Sequence, residues 1–328
     1  MIVVTGGAGF IGSNIVAALE RRGGSGVVVC DRLRSGDKWQ NVAKRELLDI
    51  VDPEHLWSYL DNADDSVEAV IHMGAITATT ETDADLIVDV NVRMSQRLWD
   101  WCSARDVPLV YASSAATYGD GSNGFDDDAA PEALARLRPL NAYGWSKHLF
   151  DRWVMRRIAE DGARPPRWGG VKFFNVYGPN EYHKGPQASV VSHLYPRARG
   201  GKPARLFKSH HPDYADGGQL RDFVWVDDCV DVVLWLLDND HSGGLFNCGT
   251  GRARSFADLA TAVYRAMNRE PIIEYVPTPE AIREKYQYFT EARLDRLRAA
   301  GYDRPFTELE DGVAAYVRDF LDAADPYR

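Results

Sequence analysis

The sequence predicts an α/β protein: a doubly wound parallel sheet, followed by a smaller C-terminal α/β part suited to a substrate. Three observations carry that expectation. Short apolar runs alternate with amphipathic stretches of helical period through the first half of the chain. The first run, residues 2–5, passes directly into a glycine-rich turn that opens a helix. A second run, residues 27–30, ends on Asp31, roughly 20 residues after the turn, where such a sheet places its acceptor for ribose hydroxyls.

The turn carries Gly7, Gly9 and Gly12 at G-x-G-x-x-G spacing, and Gly6, Gly9 and Gly12 at G-x-x-G-x-x-G spacing. Glycines there let the backbone touch a pyrophosphate, while the free N–H groups and dipole of the following helix favour the anion. Gly6, Gly9, Phe10, Ile11 and Gly12 are therefore assigned to a dinucleotide bound in a Rossmann-type fold. Asp31 suits the free ribose of NAD, whereas Arg32 and Lys38 just after it suit the 2′-phosphate of NADP, so the residues leave the two cofactors open.

With 328 residues the chain can bury a substantial core, and 45% hydrophobic with 26% charged residues describes an ordered globular protein. Its formal net charge of −10 repels nucleic acid and anionic membranes, so an anionic small ligand needs locally placed Lys and Arg. Cys30, Cys102, Cys229 and Cys248 form no C-x-x-C pair and read as reduced core thiols, with no metal site expected. No basic leader or long apolar run appears, and a cytoplasmic location is expected.

Residues 13–22 read as a helix closed by Gly23 and Gly24, and residues 47–50 as a short third strand that brings Asp49 beside the adenine. A fourth strand over 69–74 leads past the cofactor with Met73, Gly74, Ala75 and Thr77. A helix over 84–105 carries Asn91, a poor helix-interior residue that either faces solvent or bonds something specific; it too is assigned to the cofactor. The strand over 109–112 ends in Ser113 and Ser114, whose hydroxyls point to the same crevice as the glycine turn. The next helix, running to about residue 158, sets Tyr143 and Lys147 one turn apart on one face. A phenol with a pKa near 10 is a poor base at neutral pH, but an adjacent ammonium and a positive nicotinamide ring both favour its phenolate.

From residue 171 the alternation becomes irregular. Residues 1–174 with about 222–246 are assigned to the dinucleotide domain, and 175–221 with 247–328 to a substrate domain. Residues 175–179 read as a turn, 221–226 as a buried strand, Asp227 or Asp228 as the cap of a helix to Leu237, and Ser255 as a further helix start.

This combination resembles the extended short-chain dehydrogenase/reductases, with Ser114, Tyr143 and Lys147 in the places of that superfamily's catalytic set. Within it the chain is similar nearly end to end to the nucleotide-heptose 6-epimerases. The markers are residues 112–119, 174–179, 220–223 and 286–290, and His183-Lys184-Gly185 followed by Ala188-Ser189-Val190. The resemblance implies a bound NADP, with NAD the alternative, a nucleotide-diphosphate heptose destined for lipopolysaccharide core, and a homo-oligomer, a pentamer being one form. It carries Ser114, Asn175, His193, Phe207, Lys208, Ser209, Arg221 and Tyr286 over to the substrate, with Arg221 gripping the diphosphate through its planar fork.

Inverting a carbinol by oxidation and reduction requires hydride to leave one face and return to the other, and one base cannot easily serve both alcohol positions. The resemblance gives Tyr143 to one epimer and Lys184 to the other. Lys147 then lowers the Tyr pKa and holds the nicotinamide ribose, and Ser114 bonds the reacting oxygen. Met73 stands where an acid is expected, Pro186 where a small polar residue is expected, and 210–219 is longer than in the simplest members. A 4,6-dehydratase needs an acid pair after the strand-end hydroxyl, where Ala115 and Ala116 stand. A nucleotide-sugar 4-epimerase and a non-catalytic NADP-binding sensor remain the alternatives.

Overall fold

The computed structural model describes residues 1–63, 66–240, 243–283 and 287–328, with 281 and 282 described by backbone alone. Its strands, in chain order, are β1 (Ile2–Thr5), β2 (Val27–Cys30), β3 (Asp49–Val51), β4 (Ala69–His72), β5 (Leu109–Ser114), β6 (Trp168–Phe173), β7 (Asn175–Tyr177), β8 (Ala204–Phe207), β9 (Leu220–Arg221), β10 (Phe223–Trp225), β11 (Gly244–Cys248), β12 (Arg254–Ser255) and β13 (Ile273–Val276). Seven of them form one sheet in the order β11-β6-β5-β4-β1-β2-β3, with every neighbouring pair parallel. The order reverses between β1 and β4, which opens a crevice at the carboxyl ends of those strands.

Both faces of this sheet are covered. Val3 and Val28 pack into one apolar core, and their chain neighbours Val4 and Val29 into another. That is why these strands read as unbroken apolar runs rather than alternating ones. A third core joins Tyr177, Leu194, Trp225, Val263, Val313 and Tyr316 beneath the C-terminal part, whose strands pair as β7 with β10, β8 with β13 and β9 with β12. All four cysteines are buried. No helix among the described residues is long and apolar enough to cross a membrane.

Several elements differ from the sequence-based expectation. The third strand runs over Asp49–Val51 rather than 47–50, because its partner β2 pairs Val28 with Asp49. Residues 175–177 are not a turn but β7, which takes β10 as its partner outside the main sheet. The helix Val226–Asp238 begins with Trp225 as its cap residue; Asp227 pairs with Arg328 and Asp228 accepts from Thr307 instead of capping. The helix Phe256–Ala266 does begin at Ser255, through a capping box with Asp258.

Candidate active site

The crevice at the β1/β4 reversal is a cleft of about 1290 Å³, larger than a typical small-ligand pocket of roughly 300–1,000 Å³ and suited to an extended ligand. Gly6, Gly9, Phe10, Ile11 and Gly12 line it. A Cβ on Gly12 would lie 2.1 Å from the Gly6 carbonyl oxygen, and one on Gly6, at φ +65°, would lie 2.6 Å from the Gly74 amide nitrogen. The turn is thus a cradle that side chains would close, which fits a pyrophosphate seated on backbone.

Asp31 lines the cleft at the end of β2. Its Oδ2 accepts from the Ala8 amide (3.0 Å) and its Oδ1 from Lys38 Nζ (2.5 Å), so one carboxylate pins the glycine turn and partly neutralises the lysine. Arg32, beside it, donates to Glu54 (3.2 Å). Arg34, Arg93 and Arg97 also face the cleft, supplying the local positive charge that an acidic chain needs for an anionic ligand. Arg93 and Arg97 were missed from the sequence, although their i,i+4 spacing on one helix was readable.

Met73, Gly74, Ala75 and Thr77 run along the cleft. Behind them His72 bridges Thr5 (2.6 Å) and Ser95 (2.8 Å), and burial holds its imidazole neutral by pushing the pKa down to about 3. Asn91 is not in the cleft wall. It sits fully buried in a π-helical turn, Val88–Arg93, where its Oδ1 accepts from the Ile76 amide (2.8 Å) and its Nδ2 donates to the Ile76 carbonyl (2.9 Å) and Ser146 Oγ (3.0 Å). The residue that weakens the helix interior therefore ties down the cleft-lining segment. Asp49 also lies apart, because it begins β3 and so sits back from the ligand-facing end of the sheet, in a separate surface hollow with Met1 and Tyr59.

The helix Ala142–Ala159 starts where the Asn141 side chain accepts from the Gly144 amide (2.8 Å). Gly144 lets it press on the turn after β5, since a Cβ there would be 2.7 Å from the Ala116 carbonyl oxygen. This close approach brings Tyr143, Lys147 and Ser114 into one wall of the cleft. Burial raises the Tyr143 pKa, the Ser114 hydroxyl opposes that, and Asp151 adds to it. The expected depression by Lys147 is not among these causes. Lys147 is itself only 3% exposed, and burial lowers its pKa to about 8 while Asp151 supports its charge.

Behind this wall lies a buried ion pair that was missed from the sequence. Lys172 Nζ, on β6, donates to Asp151 Oδ2 (2.7 Å) and Thr117 Oγ1 (2.8 Å), and Asp151 also accepts from Ser113 Oγ (2.7 Å) and the Tyr111 hydroxyl (3.2 Å). A lysine inside an apolar strand was the available signal.

Lys184 reaches the same cleft from a separate element, the short 3₁₀ segment Tyr182–Gln187. Its Nζ lies 5.3 Å from the centre of the Phe10 ring; burial lowers its pKa and Glu181 opposes that. His183 beside it meets Asn41 Nδ2 (3.1 Å), which also donates to the Ala8 carbonyl of the glycine turn (2.8 Å).

Of the residues expected at the substrate, only Ser114 is among the described residues that line the cleft. Asn175 is exposed at the start of β7, 3.4 Å from Thr290 Oγ1, and His193 is exposed on the helix Val190–Arg199. Phe207 ends β8, and Lys208 and Ser209 follow it, the Ser209 amide donating to Asp216 (2.8 Å). Arg221 is buried, and its guanidinium donates to the backbone carbonyls of Leu220 (2.8 Å) and Gln287, so neighbouring carbonyls engage the fork expected to grip a diphosphate. Tyr286 lies outside the described residues.

The sequence profile of the NAD dependent epimerase/dehydratase family matches residues 2–249. The chain belongs to that family. Among family relatives, it is 52% identical over 329 residues to the ADP-L-glycero-D-manno-heptose-6-epimerase of Nitratidesulfovibrio vulgaris (strain DP4), with 100% of both chains covered. Its fold matches the crystal structure of the Helicobacter pylori ADP-L-glycero-D-manno-heptose-6-epimerase with a TM-score of 0.79 at 25% identity, over 97% of this chain and 95% of that one. It also matches the Thermus thermophilus UDP-glucose 4-epimerase in complex with NAD, with a TM-score of 0.75 at 26% identity, over 98% and 99%. Family membership makes the chain an epimerase-type enzyme whose cofactor is a nicotinamide dinucleotide.

Proposed function

We propose that this family member interconverts the C6 epimers of ADP-glycero-manno-heptose on tightly bound NADP, supplying activated heptose for lipopolysaccharide core. The observation that carries the reading is the arrival of Tyr143 and Lys184, from two unconnected elements, in the cleft floored by the glycine turn. The full-length relative named for this reaction supports the choice of sugar. The dinucleotide, when bound, supplies reversible removal and return of the C6 hydrogen. Gly6, Gly9 and Gly12 would seat its pyrophosphate, and Asp31 its adenosine ribose. Arg32, Arg34 and Lys38 at the same end of the cleft favour NADP over NAD.

Tyr143 takes or gives the C6 hydroxyl proton in one epimer, and the Lys184 amine does so in the other. Burial keeps the Lys184 pKa below that of an ordinary lysine, which brings the amine nearer to a working general base. Ser114, which lines the same cleft as Tyr143, holds the reacting oxygen. Lys147 holds the nicotinamide ribose. The C-terminal part, with Asn175, His193 and Arg221, then takes the rest of the nucleotide sugar, and residues 1–174 with about 222–246 hold the cofactor. A homo-oligomer belongs to the same reading, and light scattering on the purified protein checks it.

Proton NMR of ADP-heptose incubated with the protein tests the reaction at C6. Tyr143→Phe and Lys184→Ala are each expected to lose at least about 10²-fold in turnover. Unaltered turnover in either variant removes that residue from the mechanism, and inversion at another carbon replaces the substrate reading with that of another nucleotide-sugar epimerase.

A further inference from the structure

We propose that residues 325–328 form a clasp that fixes the Lys184 segment against the cofactor cleft, with Tyr327 as a positioning residue. The inference rests on Lys184 serving as the second acid/base group of the proposed reaction. The segment Tyr182–Gln187 has backbone bonds from Lys184 to Glu181 (3.0 Å) and from Ala188 to Gly185 (3.0 Å), but its course breaks between them: Gly185 leaves the helical course at φ 54° and ψ −124°, and Pro186 offers no N–H. From inside, the fold holds it through Glu181, which accepts from Ser189 Oγ (2.6 Å) and the Tyr316 hydroxyl (3.0 Å).

From outside it is held by residues 325–328. The Tyr182 hydroxyl donates to the Pro326 carbonyl (2.9 Å), and its ring meets the Tyr327 ring edge-on with centroids 5.3 Å apart. Those residues are themselves anchored at three points. Arg328 pairs with Asp227 in the first turn of the helix Val226–Asp238 (Nη2 to Oδ2, 3.0 Å). The Arg328 amide donates to Asn180 Oδ1 (2.9 Å), and Asn180 Nδ2 donates to Ser13 Oγ in the helix after the glycine turn (3.0 Å). Lys44 donates to the Tyr327 carbonyl (2.5 Å) and pairs with Asp325 (2.7 Å).

Tyr327 also lines the cleft, together with Tyr182, His183 and Lys184. The clasp therefore ties the Lys184 segment to the same helix that starts at the glycine turn. Each tie alone is weak at a surface; their convergence on Tyr182 restricts a segment that would otherwise sample many orientations. Released from the clasp, the amine gains water and drifts from its position opposite the substrate oxygen. A displacement of about 1 Å can cost up to roughly 10²-fold in rate.

The test compares Tyr327→Ala with the conservative Tyr327→Phe, and adds Asp227→Asn, which removes the Arg328 anchor away from the cleft. Tyr327→Ala is expected to lower kcat for C6 epimerisation about tenfold or more with KM held within about threefold, and Tyr327→Phe to restore it. A second readout needs no turnover: acetylation of Lys184 at limiting reagent, followed by mass spectrometry across pH with exposed Lys208 as the internal reference. Tyr327→Ala and Asp227→Asn are both expected to move the Lys184 labelling curve to higher pH and to speed labelling above it. The proposal is overturned if labelling and kcat stay as in the wild type in both variants. It is also overturned if the only change is weaker NADPH binding, with kcat restored at saturating cofactor. A wild-type protein that fails to invert C6 while the labelling shift appears refutes the reaction and leaves the clasp standing.

Discussion

Asp151→Asn weighs the electrostatics behind Tyr143 and Lys147 directly. Asp151 follows Lys147 by four residues on the helix Ala142–Ala159, which sets their Cβ atoms about 5–6 Å apart. Its carboxylate raises the pKa of both Lys147 and Tyr143. Two unit charges about 6 Å apart at an effective dielectric of about 20 interact by roughly 2.8 kcal/mol, or about two pKa units. Lys172, 2.7 Å from Asp151, cancels part of that field in the native protein.

Removing the carboxylate alone therefore exposes Lys147 to Lys172 and lowers its pKa by up to about two units; the Tyr143 pKa also falls, since Asp151 is one of the causes that raise it. Asp151→Asn/Lys172→Met removes both charges and is expected to lower the Lys147 pKa by less. The other groups packed around the pair do not titrate between about pH 6 and 9: burial keeps His72 and His148 neutral with pKa values near 3 and 4, and raises the Tyr111 and Tyr118 phenols. The charges of Arg152 and Arg138, on the His148 side, help hold its imidazole neutral.

Under the proposed reaction, the alkaline limb of kcat against pH reports loss of the Lys147 charge and begins near pH 8 in the wild type. That limb should move to lower pH, further in the single variant than in the double. Because Asp151→Asn strands a buried ammonium, it should also cost about 3–5 kcal/mol of stability, most of which the double variant recovers. NMR turnover across pH reads the limb, and urea unfolding reads the stability. A limb that stays in place while only the amplitude falls would refute the electrostatic reasoning and leave Asp151 as packing.

Gly12→Ala places a Cβ 2.1 Å from the Gly6 carbonyl oxygen, so the turn must open, and NADPH binding followed by fluorescence should weaken at least about tenfold. Asn91→Ala leaves the Ile76 amide and carbonyl without their side-chain partner; a loss of about 2 kcal/mol in urea unfolding is expected, with weaker dinucleotide binding through the loosened cleft wall. Acid should destabilise the fold through His72, whose folded pKa of about 3 lies below its ordinary 6.5. The unfolded chain binds that proton first, so the stability present above about pH 6.5 falls toward pH 3, by up to roughly 1.4 kcal/mol per pH unit. His72→Gln should flatten that slope in urea midpoints measured from about pH 7 to 5, and an unchanged slope would remove His72 as its source.

The legible parts of the site were those built from neighbours in sequence. Gly6, Gly9 and Gly12 share one turn, and Tyr143 and Lys147 share one helical face, so spacing alone placed them in the cleft. Asp49 misled because a short strand fixes no register until its partner is known; the pairing of Val28 with Asp49 moved the ligand-facing end past it. Asn91 was readable as unusual but not as to its partner, since Ile76 and Ser146 come from other elements. The Leu220 and Gln287 carbonyls that meet the Arg221 guanidinium were not legible, because no sequence pattern announces them.

By itself, the sequence determined the parallel sheet, the glycine cradle and the Tyr143/Lys147 pair, because backbone sterics and helical period act over a few residues. Lys184 entered the site beside Tyr143 only through the family resemblance, and the fold brings both into one cleft; tertiary structure alone decided that Lys172 neutralises Asp151 behind it and that Tyr327 closes over the Lys184 segment. Those contacts join distant stretches of chain. They follow from how the apolar cores bring the elements together, and no local preference of the residues specifies them.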